Sequence, residues 1–163
     1  MSAISLYAKP SATFAAKLAA SRALLLSSAA QYSSITQASS LGAEDMVVTH
    51  LIADTGIASS VFVLDTRMLH AQTLALIGQL EARYAITVGV YQPDAAVAAA
   101  FVAENGLEAM YKSLGLRKTC CDFRKMEPLA RALDGKKPGS PACAVSNPTP
   151  ALKSTTLSSS TSP

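Results

Sequence analysis

Hydrophobic residues along the chain recur either at helical spacing or in short β-prone and apolar runs. The runs alternate with the helical segments, an order typical of a parallel sheet built from right-handed strand–helix–strand crossovers. The predicted helices lie at 12–31, 43–53, 70–83, 93–104, 107–114 and 118–133, and the predicted strands at 33–38, 60–65 and 86–91. The pattern therefore predicts an α/β fold with an open, mainly parallel sheet and flanking helices. Natural sheets usually have roughly four to six strands. Because the pattern predicts only three strands, the fold looks incomplete at about residue 134.

Single residues add detail to two of these helices and to the last helical segment. Pro93 suits the first position of a helix, and Pro128 predicts a kink or break within the last segment. In the helix at 43–53, Glu44 and Asp45 lie in the first turn, where acidic side chains suit the helix dipole. The predicted buried side of that helix consists of Met46, Val47, His50 and Leu51.

Composition divides the chain into three parts and limits the classes of protein it can be. The 163 residues are half hydrophobic and 15% charged, which indicates one folded domain rather than a disordered chain. We expect a helical segment at 1–32, a folded domain, incomplete in this chain, at 33–135, and a disordered tail at 136–163 that is rich in proline, serine and threonine and has no acidic residue. No apolar run reaches 18 residues, and the net charge is only +3, so we expect neither a membrane span nor a nucleic-acid partner.

Cysteine usage and the N-terminal charges bear on the compartment. The three cysteines form a poor disulfide framework, since two are adjacent, and this indicates a reducing, cytoplasmic environment. The N-terminal segment carries Lys9, Lys17 and Arg22 and has no acidic residue before Glu44. That pattern fits an ordinary amphipathic helix, which we favour, and it also fits a mitochondrial transit peptide.

The loop after the first predicted strand is a candidate anion site. Free backbone N–H groups and the helix dipole favour an anion where a strand leads into a helix, and serine hydroxyls add donors. Gly42 would let a phosphate approach the backbone closely. The candidate nucleotide-binding residues here are Ser39, Ser40, Gly42, Ala43, Glu44 and Asp45. The alternative is a simple strand–helix turn in which the serines are caps.

A second candidate site lies at the carboxyl end of the next strand, at Leu64, Asp65 and Thr66. An aspartate there can accept hydrogen bonds from a ribose or a base, or it can hold a metal; the alternative is a cap for the following helix. In an open α/β sheet, ligands bind beyond the carboxyl ends of the strands. Both loops should therefore fall at one sheet edge.

The third candidate site is the vicinal pair Cys120 and Cys121. Four cations flank it: Arg117, Lys118, Arg124 and Lys125. Such surroundings favour the thiolate, the form that binds metal or attacks an electrophile. Two adjacent thiolates are half of what an iron–sulfur cluster needs. The alternative is a pair of inert structural cysteines.

Taken in order, these three segments resemble the assimilatory sulfonucleotide reductases, which reduce adenylylsulfate or phosphoadenylylsulfate. The run from Ser39 to Met46 is similar to the phosphate-loop motif of that family, and Leu64-Asp65-Thr66 is similar to its second motif. The cysteine pair, followed by Arg124-Lys125 and Glu127-Pro128-Leu129, resembles the motif of the iron–sulfur branch. The likeness covers about residues 33–135, and it implies that this part of the chain is a nucleotide-binding reductase domain, incomplete in this chain.

The resemblance implies an adenine nucleotide alpha hydrolase-like (Rossmann-like) fold and reduction of the sulfonucleotide to sulfite and AMP, or to adenosine 3′,5′-bisphosphate. It implies thioredoxin or glutathione as electron donor. It also implies a [4Fe-4S] cluster on Cys120 and Cys121 plus a later cysteine pair, with Lys125 between cluster and substrate, and the pair favours adenylylsulfate. A C-terminal cysteine is the family's nucleophile.

Several features depart from the family pattern. Arg67 and Met68 stand where the family has Gly and Arg. Beyond Lys137 the chain has neither the Trp-x-Thr-Gly-Leu-Arg-Arg-like motif nor the second cysteine pair and nucleophile. Suitable codons for 138–147 encode a version of that motif when read one base earlier, so we hypothesise a frameshift near codon 137. We therefore expect half of the cluster ligands and little or no reductase activity from this chain.

Three alternatives stay open at this point. The chain is a non-catalytic adenine-nucleotide-binding module, or it is another phosphate-loop enzyme such as an ATP pyrophosphatase. A homo-oligomer in which two chains share one cluster is the third alternative.

Overall fold

The computed structural model describes residues 9–32 and 35–134, together with the backbone of 142 and 143. The helices are α1 (Phe14–Gln31), α2 (Ala43–Thr55), α3 (Ala71–Tyr84), α4 (Ala95–Asn105), α5 (Ala109–Lys112), α6 (Leu114–Cys121) and α7 (Glu127–Leu133). The strands are β1 (Ile35–Ser39), β2 (Ser59–Leu64), β3 (Val88–Tyr91) and β4 (Ala142–Cys143). The predicted α/β class and the parallel sheet are confirmed.

All strand pairs in the sheet are parallel, in the order β3-β2-β1-β4. Ser39 is in register with Val63, and Leu64 is in register with Tyr91. The carboxyl ends of β1, β2 and β3 therefore meet at one edge, as expected for the two candidate loops. Strand β4 is a short segment within the stretch predicted to be disordered; the rest of 136–163 lies outside the described residues.

A hydrophobic cluster holds the sheet against α3 and the loop before α2. Its buried members are Leu41, Val61, Val63, Leu80 and Val88. A second, smaller cluster lies among the C-terminal helices and consists of Phe101, Ala109 and Cys120, with Phe123 packed against them. The π-helical turn Asp122–Met126 separates α6 from α7.

The predicted buried side of α2 is only partly correct. Leu51 is buried and Met46 packs against the core, but Val47 is 57% exposed and His50 is exposed. Asp45 and Thr49 take the buried positions instead. The helix is rotated because these polar side chains have hydrogen-bond partners in β1 and in the loop beside it, which offset the cost of burying them.

Two predictions near proline and serine also need correction. Helix α4 begins at Ala95 rather than at Pro93, because the carboxylate of Asp94 accepts hydrogen bonds from the N–H groups of Ala96 and Val97 at 2.8 and 3.0 Å. The predicted helix at 107–114 is split at Ser113, whose extended backbone and side chain cap α6.

Pro128 lies at the start of α7, directly after the π-helical turn. Proline has no N–H and its ring crowds the carbonyl four residues earlier, so a widened turn before it is the expected adjustment.

Helix α1 lies outside the core. None of its residues is buried. Arg22 on α1 and Asp54 on α2 form an ion pair of 2.6 Å whose side chains are about 40% exposed, an arrangement worth about 0–1 kcal/mol. No helix within the described ranges is long and apolar enough to cross a membrane.

Candidate functional site

A cleft of about 360 Å³ opens at the carboxyl edge of the sheet. Residues from all three predicted segments line it, together with apolar side chains. The lining residues are Ala38, Ser39, Ser40, Asp45, Phe62, Val63, Leu64, Thr66, Leu69, Lys125 and Leu129. The structure thus brings together the loop after β1, the end of β2 and Lys125.

The side chain of Asp45 holds the loop after β1 through hydrogen bonds. Its carboxyl atom Oδ2 accepts hydrogen bonds from the backbone N–H and the hydroxyl of Ser40, both at 2.6 Å. The residue is only 2% exposed, and its other oxygen, Oδ1, has no hydrogen-bond donor within reach among the residues that the structure describes. One oxygen of this buried carboxylate is therefore left without a hydrogen-bond partner within the described residues.

The loop backbone is constrained at Leu41, which has a φ of +63°, a conformation that costs a non-glycine residue about 1–2 kcal/mol. The Leu41 side chain is buried in the core, and its N–H donates to the hydroxyl of Ser39 at 3.1 Å. The hydroxyl of Ser40 accepts from the N–H of Gly42 at 3.3 Å. Packing and hydrogen bonds together fix this shape.

Gly42, Ala43 and Glu44 border the loop but do not line the cleft. Gly42 has an ordinary φ of −72°, so its backbone does not require glycine. The space beside it is taken by Glu44, since a Cβ added at Gly42 would lie 3.0 Å from both carboxylate oxygens of that residue.

Asp65 stabilises the turn after β2. Its Oδ1 accepts from the backbone N–H of Arg67 at 2.9 Å, and its Oδ2 accepts from the amide of Gln92 at 2.8 Å. Leu64 and Thr66 line the cleft, whereas Asp65 does not. Arg67 has a φ of +60°, which gives a physical reason for a glycine preference at this position.

The segment after the cysteine pair is tied to the end of β2 by Arg124. This guanidinium is buried, lies 5.0 Å from the ring centroid of Phe123, and donates to the backbone carbonyl of Thr66 at 2.7 Å. Because Lys125 follows directly, its side chain is placed at the cleft. Arg131 on α7 donates to the backbone carbonyl of Gln92 and so attaches α7 to the end of β3.

The two cysteines have different environments. Cys120 is 7% exposed and packs in the second hydrophobic cluster, whereas Cys121 is half-buried. Neither lines the cleft. Of the four flanking cations, Arg124 is buried and the other three are exposed.

The described residues contain two cysteines, whereas a four-iron cluster is held by four thiolates. No group of three or more histidine, cysteine, aspartate or glutamate side chains positioned to hold a metal occurs in the described ranges. Consecutive side chains on a helix also point roughly 100° apart. The residues of 9–32 and 35–134 therefore do not complete a four-iron site by themselves.

Some residues of the site were not found by sequence reasoning. Gln37 donates a hydrogen bond to the backbone carbonyl of Asp45, and Gln92 donates one to the carboxylate of Asp65. A glutamine in a strand or a loop has no sequence pattern that would predict such a contact. Leu69 forms an apolar wall of the cleft, and so does Leu129, which the sequence indicates only through the family motif. Arg124 is part of that motif and a flanking cation, but its burial could not be predicted because it depends on the packing of the π-helical turn.

Comparisons with known proteins identify the family of this chain. A family profile described as "Phosphoadenosine phosphosulfate reductase domain" matches residues 34–140. The adenosine 5′-phosphosulfate reductase of Burkholderia cepacia is 43% identical over 119 residues, which are 73% of this chain and 48% of that protein. The enzyme of the same name from Allochromatium vinosum is 40% identical over 124 residues, 76% of this chain and 48% of that protein. The chain thus spans about half the length of these curated relatives.

A solved structure supports the fold. The crystal structure of phosphoadenylyl-sulfate reductase from Candida auris, a phosphate complex, matches with a TM-score of 0.57 and 21% identity, over 69% of this chain and 54% of that one. At this identity the match supports the fold alone. With the family profile covering most of the chain, the protein belongs to the phosphoadenosine phosphosulfate reductase domain family.

Proposed function

We propose that this chain is the nucleotide-binding part of an oxidoreductase of sulfate assimilation that reduces adenylylsulfate, or phosphoadenylylsulfate, to sulfite and AMP, or to adenosine 3′,5′-bisphosphate. One observation carries the proposal: the loop after β1, the end of β2 and Lys125 line a single cleft. The names of the relatives support the reductase class.

The cleft walls suggest how the nucleotide is oriented. Leu69 and Leu129 provide apolar surface that suits an adenine ring. The carboxylate of Asp45 disfavours an anion directly beside it. The phosphate and sulfate groups then lie toward the ammonium of Lys125 and the hydroxyl of Ser39, because both donors of Ser40 already bond to Asp45.

Gly42, Ala43, Glu44 and Asp65 act indirectly in this proposal. Asp65 keeps the turn that presents Leu64 and Thr66, and Gly42 leaves room for the Glu44 carboxylate. Gly42→Val forces that side chain to move and crowds the loop, so we expect it to weaken AMP binding. Calorimetric titration of wild type and variant with AMP tests this step, and equal affinities would remove Gly42 from the site.

Reduction needs two electrons that the chain must receive from a thiol donor. Two thiols of thioredoxin or glutathione become a disulfide as adenylylsulfate is split into sulfite and AMP. The 163-residue chain carries three cysteines, of which Cys120 and Cys121 resemble cluster ligands rather than a nucleophile. We therefore propose that this chain on its own releases little or no sulfite from adenylylsulfate. Robust sulfite release with either donor would refute that.

A bound [4Fe-4S] cluster would supply a charged, redox-active group near the sulfonucleotide. Cys120 and Cys121 would hold half of it, and Cys120 would first have to leave its apolar packing. The other two thiolates would come from outside the described residues or from a second copy in a homo-oligomer. We expect the chain alone, purified without oxygen, to have no iron–sulfur absorbance. A cluster spectrum together with a dimer would support the shared site.

We also propose a cytoplasmic location, which the cysteine pair and the thiol donors favour. A non-catalytic adenine-nucleotide-binding module is the second candidate, because the cleft is formed entirely by described residues. That module would bind AMP yet remain inactive when joined to the C-terminal half of a relative. Release of pyrophosphate from ATP would instead indicate an ATP pyrophosphatase.

A further inference from the structure

Gln37 is a polar residue at a core position of β1. It is 2% exposed and is among the largest fully buried side chains in the described part of the chain. Its amide Nε2 donates to the backbone carbonyl of Asp45 at 2.9 Å, and its Oε1 accepts from the hydroxyl of Thr49 at 2.9 Å. Both partners belong to the first turns of α2. The side chain therefore joins the strand to the start of the helix that follows the anion loop.

The contacts continue from Asp45 into the cleft. Asp45 accepts the two 2.6 Å hydrogen bonds from Ser40, and both residues line the cleft. Gln37 does not line it. Any effect of Gln37 on a ligand must therefore pass through the position of Asp45 and the loop that Asp45 holds.

Burying a side-chain amide at this position costs free energy unless its donor and its acceptor both have hydrogen-bond partners. A side chain of similar size such as methionine would occupy the volume without a polar group that needs a partner. It would not fix the rotation of α2, or the position of α2 along its own axis, relative to β1. The strained backbone at Leu41 needs such support, because a residue with φ of +63° keeps that conformation only where its surroundings enforce it.

We propose that Gln37 is a positioning residue for nucleotide binding, which sets the loop after β1 through its hydrogen bond to the carbonyl of Asp45. The inference rests on the proposed function, since it assumes that the cleft takes a nucleotide. It extends that function by a residue that the ligand does not touch.

The test compares two substitutions with a matched control. Gln37→Met removes both hydrogen bonds at nearly constant volume. Gln37→Glu keeps an acceptor for Thr49, but it replaces the donor to the Asp45 carbonyl with an oxygen and adds a buried negative charge, so Gln37→Met is the primary variant. Ile52→Val on the same helix is the control, because Ile52 is buried and does not line the cleft. Each protein is measured at a temperature where it is fully folded.

Two quantities are measured, the Kd for AMP and the exchange rate of the Ser40 amide proton. We expect both Gln37 variants to raise the Kd by about tenfold and to speed Ser40 exchange by about tenfold relative to the amide of Val63 in β2. Ile52→Val changes neither. If Ser40 exchange is unchanged in both variants, or rises equally in Ile52→Val, Gln37 is only a core residue.

The two readouts separate the two proposals. If wild type does not bind AMP, the proposed function fails, and the Ser40 exchange alone decides whether Gln37 positions the loop. If wild type binds AMP and Ser40 exchange responds while the Kd does not, the positioning role in binding is refuted. If one variant does not fold, the other provides the comparison.

Discussion

Replacing Asp45 with alanine tests whether this residue holds the anion loop. The side chain accepts two short, charge-assisted hydrogen bonds from Ser40, and such bonds are worth about 1.5–3 kcal/mol each. The lower value applies here, because Ser40 is exposed and water can replace the lost acceptor. Removing the buried, unpartnered Oδ1 returns about 1 kcal/mol. We therefore expect Asp45→Ala to lower the free energy of unfolding by about 2 kcal/mol.

The assay is urea denaturation at 25 °C, followed by far-ultraviolet circular dichroism. Asp45→Asn is the matched comparison, because its side-chain carbonyl still accepts from Ser40 and its amide provides a donor in place of the orphaned oxygen. We expect a loss within about 1 kcal/mol for that variant. A stability of Asp45→Ala equal to or above that of wild type would show that burial of the carboxylate outweighs its bonds to Ser40, and would refute the reasoning.

Three further predictions concern the other parts of the site. Lys125→Ala weakens AMP binding in calorimetry by about tenfold and reduces its salt dependence, since it removes a cation from the cleft wall. Cys120→Ser lowers the free energy of unfolding in urea by about 1–3 kcal/mol because a hydroxyl enters an apolar cluster, whereas Cys121→Ser stays within about 0.5 kcal/mol. In an NMR titration the pKa of Glu127 lies below its ordinary value, because Arg131 donates a hydrogen bond to its carboxylate and favours the charged form.

The pH dependence of the ion pair and three control comparisons test these predictions. A lowered folded-state pKa means that the stability contributed by the Glu127–Arg131 pair is fully present above the unfolded pKa of Glu127 and is lost as the pH falls through its folded pKa. Arg131→Gln should return the pKa of Glu127 to about its ordinary value; no change would contradict the pairing. Lys118→Ala, an exposed lysine away from the cleft, should leave AMP binding unchanged. Equal destabilisation by the two cysteine variants would contradict their different packing.

Much of the fold could be predicted because each element has its own signal in the chain. The apolar run of β2 and the spacing of α3 need no tertiary information. The buried face of α2 could not be predicted, because it depends on Gln37 in another element accepting and donating hydrogen bonds at Asp45 and Thr49. A hydrophobic pattern alone assigns such polar residues to the surface.

The candidate site was predictable in its position more than in its contacts. Parallel strands bring the loop after β1 and the end of β2 to one edge, so Ser40 and Thr66 meet at the cleft as expected. Asp65 has both oxygens occupied by Arg67 and Gln92, a fact that only the turn geometry reveals. The place of Lys125 was implied by family resemblance and not by any spacing within the chain.

Location of the bound nucleotide is the measurement that tests the account most directly. Amide NMR spectra of the ¹⁵N-labelled chain are recorded during titration with AMP. We predict saturable changes in amide chemical shift that are concentrated at Ser39, Ser40, Thr66 and Lys125, with the amides of α1 unchanged. Absence of saturable shifts, or shifts concentrated away from the cleft, would contradict it.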